Sequence, residues 1–200
     1  MTTSKIHPAL YRVSQFFVAL YAYLPGVNGR FSGEDAALVA SILTTPEQQQ
    51  LFACMSPNDR RHAVAVARTL RQAGHHHPAL MQAALLHDVA KSLGQPIIHR
   101  VLIVLLEAFW PSALHRLSSP KSPSSLLTPH FSLLTSHSSF ITRPFVIHAQ
   151  HPVIGAAWAQ QAGCDLLTVR LIAQHQDKLN NEATEEQQLL AALQWADNWN

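Results

Sequence analysis

Residues 83–91 read AALLHDVAK, and this stretch decides how the rest of the chain is interpreted. The residues before it are also apolar, which predicts a helix that is buried on nearly all sides. His87 and Asp88 stand inside that apolar run. Burying an imidazole beside a carboxylate is unfavourable unless both are paired, and a divalent metal accepts both as ligands. The stretch therefore predicts a buried helix that supplies two metal ligands.

Three further histidines and one aspartate stand on segments with a helical pattern. His62 lies on the amphipathic stretch RRHAVAVA, and His151 opens HPVIGA. His175 follows VRLIAQ, and Asp197 closes LQWAD. All four are residue types that bind metals without thiolates. Together with His87 and Asp88, these four residues give the order His, His-Asp, His, His, Asp along the chain.

That order resembles the HD-domain superfamily of metal-dependent phosphohydrolases, and LLHDVAK is close to the family's most recognisable motif. The resemblance covers residues 58–200. It implies an all-α fold, an HD-domain helical bundle, with residues 1–57 as an N-terminal helical extension. A stretch dense in serine and proline, at about 111–144, is interpreted as an insertion or loop within the HD domain.

The resemblance also implies the metal ligands. Four residues match the ligands of a single ion, and two more histidines look like those that hold a second ion in the dinuclear branches. The four are His62, His87, Asp88 and Asp197, and the two are His151 and His175. His148 is an alternative to His151, and Asp177 is an alternative to His175.

The chemistry expected of such a site is hydrolysis of a phosphoester by water that one or two divalent ions activate. Nitrogen and oxygen ligands suit Fe, Mn, Zn, Ni, Co or Mg. Asp88 is expected to be both a catalytic residue and a ligand, which can bind one ion or bridge two. Lys91 stands one helical turn beyond His87, and the resemblance implies that it assists at the substrate phosphate.

The absence of other motifs narrows the expected substrate. The chain has no Gly-Tyr-Pro motif and no Glu-Asp pair after the His-Asp motif. It is shorter than the large triphosphohydrolases of the superfamily. The nearest fit is the bacterial diadenosine tetraphosphatase group or a general nucleotide phosphohydrolase. The alternative is an HD-type module that binds metal without turnover and serves in signalling or as a scaffold.

The cysteine usage favours a cytoplasmic protein, and the resemblance implies a small phosphorylated substrate as its partner. The 200 residues carry a formal net charge of +2, so nucleic acid is not an expected partner. The two cysteines form no CxxC pattern and are expected to be reduced. The apolar run FFVALYAYL at 16–24 is too short to span a bilayer and is expected to be a core helix.

Residues typical of helix starts and helix ends divide the chain into predicted helices. No stretch shows the alternation of apolar and polar residues that is typical of a strand. Ser32, Thr45 and Ser56 are N-cap residues, Pro78 is a first helical residue, and Gly74 is a helix end. The predicted helical segments are 32–43, 45–55, 56–74, 78–94, 97–110, 152–162, 166–176 and 184–199.

Overall fold

The computed structural model describes residues 31–93, 103, 106, 110–118, 137–180 and 184–200. All regular secondary structure in these residues is helical, so the predicted all-α fold is confirmed. A short 3-10 helix spans Val89–Leu93. The α-helices, in chain order, are α1 Gly33–Ile42, α2 Pro46–Ala53, α3 Pro57–Gln72, α4 Pro78–Leu86, α5 Pro111–Ser118, α6 His137–Gln161, α7 Leu166–Gln174 and α8 Glu185–Trp199.

The described residues fall into two compact units. The first comprises 31–93, 150–180 and 184–200, and it carries every predicted site residue. The second comprises 103, 106, 110–118 and 137–149. Of the predicted extension at 1–57, residues 31–57 belong to the same unit as the site, because α1 packs on α3 and α4 and α2 packs on α4.

Local sequence explains where the helices of the first unit begin. Ser32 forms a capping box with Asp35, in which each side chain bonds to the backbone of the other residue. The side-chain oxygens of Thr45 and Ser56 accept hydrogen bonds from backbone N–H groups in the first turns of α2 and α3. Both helices have proline in the first turn, where its missing N–H would have no partner in any case.

Helix α4 is the centre of the first unit. It packs against α1, α2, α3, α7 and α8, and every residue except its first, Pro78, and Gln82 is buried. A helix surrounded in this way needs apolar side chains on all its faces, which is what the sequence provides. The residues that follow α4 are therefore delivered into the middle of the unit.

The end of α4 differs from the prediction of a helix through about residue 94. The α-helix ends at Leu86, and His87 and Asp88 form a turn that leads into the 3-10 helix. Tighter 3-10 turns are common where an α-helix ends. The backbone N–H of Lys91 accordingly donates to the carbonyl oxygen of Asp88, three residues earlier, at 2.9 Å.

The region around the predicted insertion also contains more helix than expected. Pro111–Ser118 and the first residues of α6 lie within 111–144 and are helical. The predicted helix at 152–162 is the last part of α6, which begins at His137. Residues 16–24, 119–136 and most of 97–109 lie outside the described residues. No helix in the described part of the chain is long and apolar enough to cross a bilayer.

Candidate metal centre

The structure brings all six predicted ligands together as two groups of three. His62 from α3 and Asp197 from α8 meet His87 at the end of α4. The Oδ1 atom of Asp197 lies 2.8 Å from Nε2 of His62 and 3.3 Å from Nε2 of His87. These three residues are called the first trio. Asp197 lies 135 positions from His62 in the chain, so this group exists only in the folded protein.

The second trio consists of Asp88, His151 and His175. The Oδ1 atom of Asp88 lies 3.4 Å from Nε2 of His151 and 3.8 Å from Nε2 of His175. In each trio the three ligand atoms all lie within 4.8 Å of one another. Atoms bound to one ion at roughly 2.1 Å are separated by about 3 to 4 Å, so each trio can hold a divalent ion with small side-chain adjustments.

Asp88 connects the two trios. Its Oδ1 atom faces the histidines of the second trio, and its Oδ2 atom lies 3.5 Å from Nε2 of His87 in the first. The sequence predicts Asp88 as a ligand of the first ion that can also bridge to a second, and the ligand-atom distances group it with the second trio. A carboxylate with one oxygen on each side is suited to bridge two ions, which in two-metal hydrolytic sites lie about 3.5–4 Å apart.

Two of the histidines are oriented by the helix that each of them ends. The Nδ1 atom of His87 lies 3.1 Å from the carbonyl oxygen of Ala84, and that of His175 lies 2.7 Å from the carbonyl oxygen of Ile172. A carbonyl only accepts, so each Nδ1 carries the proton. When the imidazole is neutral, Nε2 therefore presents its lone pair to the site, as is usual for metal-binding histidines.

The atoms aimed into the centre fit a metal. The Nε2 atoms of His87 and His175 are buried, and no group of the described residues forms an aligned hydrogen bond with either. Buried polar atoms nearly always have partners, so such atoms call for an explanation. The donor set is nitrogen and carboxylate oxygen without sulfur, which is the set that divalent first-row metals accept.

The electrostatics of the centre follow from two carboxylates, Asp88, which is buried, and Asp197, which is partly exposed. Burial opposes a charge on His87, but Asp88 and Asp197 outweigh burial and raise the pKa of His87 to about 9. Burial would raise the pKa of Asp88, yet Lys91 and His87 hold it well below its ordinary value. Burial, assisted by the charge on His87, lowers the pKa of His175 to about 3. Without metal, a proton on His87 and the charge of Lys91 therefore balance the two carboxylates.

Lys91 is bound to the site carboxylate directly. Its Nζ atom lies 2.5 Å from Oδ2 of Asp88. The sequence analysis expected Lys91 on the face of His87, but the 3-10 turn points it to Asp88, three residues earlier. Its side chain is 23% exposed, whereas that of Asp88 is 5% exposed. The lysine therefore stands between the buried carboxylate and the solvent.

The centre is open on one side only. The side chains of His62 and Asp197 are 28% and 33% exposed, whereas the residues of the second trio are all buried. A substrate would therefore reach the first trio and Lys91 before it reached the second trio.

Gly155 lets three of the elements around the site approach closely. A Cβ atom at this position would lie 3.4 Å from Val89, 3.5 Å from Ile172 and 3.7 Å from the carbonyl oxygen of His87. It stands one helical turn after His151. The HPVIGA stretch thus supplies a candidate ligand and, four residues later, the small residue that brings α6 against its neighbours.

The sequence alternatives lie outside both groups. Neither His148 nor Asp177 belongs to a cluster of possible ligands among the described residues. The role of the Ala84 and Ile172 carbonyl oxygens in orienting the histidine rings was not predicted, because these are backbone groups and no side chain indicates them. The available signal was the position of His87 and His175 at the end of an apolar helical run, where the last carbonyls lack helical partners.

Comparison with known proteins gives no relative for this chain: no family model, no curated protein and no solved structure matches it.

Proposed function

We propose that this protein is a metal-dependent phosphohydrolase of the HD-domain type, which acts on a nucleotide or a related small phosphoester. The observation that carries the proposal is that six residues able to ligate a metal meet at the centre: His87 and Asp88 from the turn after α4, and four more from α3, α6, α7 and α8. The order of these residues in the sequence, which resembles that of the HD superfamily, also supports the proposal.

In this proposal the first trio holds one ion, the second trio holds another, and Asp88 contacts both. Divalent ions at such a centre lower the pKa of water and neutralise charge on a phosphoryl group. Metal identity stays open among Fe, Mn, Zn, Ni, Co and Mg, all of which accept these donors.

The protein's own groups have separate tasks. His87 and His175 hold their rings in one orientation through the carbonyls of Ala84 and Ile172. The burial of the second trio excludes water from that side of the centre. Lys91 stands at the open side, where its positive charge can bind the oxygens of a phosphate. Asp88 is the carboxylate nearest to both sides of the centre and is placed to accept a proton.

The remaining expectations belong to the same proposal. We infer a cytoplasmic location, in keeping with Cys54 and Cys164, which are both free thiols in the structure. The partner we expect is the small phosphorylated substrate, with nucleic acid not expected.

The test is to measure metal content and phosphate release together on the purified chain. The panel contains mononucleotides, dinucleoside polyphosphates and cyclic dinucleotides, each with Mn²⁺, Fe²⁺, Zn²⁺, Ni²⁺, Co²⁺ or Mg²⁺. We expect about two ions per chain and hydrolysis of one substrate class. Asp88→Asn should abolish both metal binding and hydrolysis. Asp177→Asn changes an exposed carboxylate outside the trios and should leave metal binding and hydrolysis unchanged.

The burial of the second trio also favours a second candidate function, a non-catalytic metal-binding module. An ion enclosed by Asp88, His151 and His175 would hold α4, α6 and α7 together in the way a structural metal does. A protein that binds two ions tightly and hydrolyses nothing in the panel would establish this alternative and overturn the enzymatic proposal.

A further inference from the structure

We propose that Lys91 is a built-in competitor of the metal: its ammonium group takes the place of a cation at Asp88 in the metal-free protein, and metal uptake displaces it. This inference rests on the proposed metal centre and concerns how that centre is loaded.

The oxygen that Lys91 binds is the one an ion beside the first trio would use. The Nζ atom lies 2.5 Å from Oδ2 of Asp88, and the same oxygen lies 3.5 Å from Nε2 of His87. Oδ1, by contrast, faces His151 and His175. An ion between Oδ2 and His87 would therefore share its carboxylate oxygen with an ammonium group, and the two positive charges would repel each other.

The difference in exposure decides which group moves. Asp88 is enclosed, whereas the side chain of Lys91 is 23% exposed and ends a long flexible stem. The ammonium can be rehydrated at little cost, because it needs only to swing away from Asp88 toward the solvent. The backbone of Lys91 stays fixed meanwhile, since its N–H is bonded to the carbonyl oxygen of Asp88.

Lys91 has a second effect, which opposes the first. It orients Asp88, and partners that orient a metal ligand usually strengthen binding by 10–100-fold. Those partners are carboxylates and carbonyls, which make the ligand more basic. An ammonium does the reverse, because the charge of Lys91 lies 2.5 Å from the oxygen that an ion beside His87 would use. We therefore expect competition to prevail over orientation.

A consequence follows for substrate binding. In the metal-free protein the charge of Lys91 is neutralised by Asp88, whereas in the loaded protein that charge is released at the open side of the centre. The lysine would thus become available to a phosphate only when the metal is in place, so that an unloaded protein would bind phosphates weakly.

The first test is a titration of the full chain with Zn²⁺ or Mn²⁺ in competition with a chelator. Lys91→Met should tighten binding at the site beside the first trio by about tenfold or more, the effect of one charge at this range. Lys91→Arg keeps the charge and should bind close to wild type. Lys178→Met removes the only other lysine of the described residues, which is exposed, and should change nothing.

The second test uses the wild type, so it does not depend on the folding of a variant. Acylation of lysine is followed by peptide mass spectrometry with and without Zn²⁺. Lys91 should react faster in the loaded protein, and Lys178 should react at the same rate in both. This inference alone would be overturned if Lys91→Met bound metal no more tightly than wild type, or if Lys91 reacted no faster after loading. Failure of the wild type to bind metal would overturn the proposed function with it.

Discussion

Nε2 of His62 donates a hydrogen bond of 2.8 Å to Oδ1 of Asp197, and this contact joins helix α3 to helix α8 beside His87. The Oδ1 atom of the carboxylate thus faces both His62 and His87, although the side chain is 33% exposed. An assignment to the HD type requires that placement, because the last aspartate has to close the first trio.

Asp197→Asn should remove one ion and leave the other. The amide is a poorer ligand than the carboxylate, so the affinity of the first trio should fall by at least about a hundredfold, more than the loss of an outer partner causes. The second trio contains no atom of Asp197. Metal analysis after dialysis should therefore return close to one ion per chain in place of two. Loss of both ions, or of neither, would contradict the division into two trios.

Metal binding should release a proton and strengthen as the pH rises. His87 has a pKa of about 9 in the metal-free protein, so it is protonated at neutral pH and has to lose that proton to bind metal. Affinity should rise by up to about tenfold per pH unit between about 6.5 and 9. Calorimetry in two buffers of different ionisation enthalpy measures the released protons directly. Equal heats in both buffers at pH 7.5 would contradict the prediction.

The metal-free protein should be most stable near pH 6.5. The folded-state pKa of His87, about 9, lies above the unfolded value of 6.5, so its contribution is complete below pH 6.5 and is lost as the pH rises to 9. On an order-of-magnitude scale this is about 3 kcal/mol. His175 behaves in the opposite sense: with a folded-state pKa of about 3, its contribution is lost as the pH falls from 6.5 toward 3.

Urea unfolding at several pH values tests this profile. The metal-loaded protein supplies the contrast, because an ion in place of the proton on His87 should remove the decline above pH 7. A decline of the same size with and without metal would show that His87 is not its cause.

Substitutions at Gly155 should depend strongly on size. Gly155→Ala places its Cβ in ordinary contact, 3.4 Å or more from its neighbours, and should be neutral or stabilising by up to about 1 kcal/mol through helix propensity. Gly155→Leu should force α6 away from Val89 and Ile172, destabilise the protein by about 1–3 kcal/mol and weaken the second trio. Gly33→Leu is the matched control, because nothing lies within 4 Å of the corresponding Cβ at the start of α1.

Thermal unfolding and metal content are the two measurements for this series. If Gly155→Leu retained wild-type stability and both ions, the close approach of α6 would have no role in positioning His151.

The starts of α1, α2 and α3 could be predicted from the sequence for physical reasons, whereas the six site residues were predicted from the resemblance to the HD superfamily. N-cap side chains such as Ser32 and Ser56 act within three residues, so their effect is readable locally. The apolar run of α4 identified the buried helix because burial on all sides leaves no polar face.

The grouping of the ligands was out of reach, because it depends on contacts between distant elements. Asp88 stands beside His87 in the sequence, yet its Oδ1 atom faces His151 and His175. The end of α4 at Leu86 was missed for a related reason: the carbonyl of Ala84 is satisfied by the ring of His87, a side-chain bond that helix periodicity does not encode. The contact of Lys91 with Asp88 was not predicted, because it depends on the direction that the 3-10 turn gives the side chain.

The contact between His62 and Asp197 has a consequence for the stability and amount of the protein in a cell. His62 and Asp197 are 135 positions apart in the sequence. In an unfolded chain they are therefore too distant to share an ion. An ion held there would bind the folded form alone and add about 2.7 kcal/mol to its stability at a free concentration one hundred times its dissociation constant. Starvation for that metal would then lower the amount of protein as well as its activity, since unfolded chains are open to proteolysis.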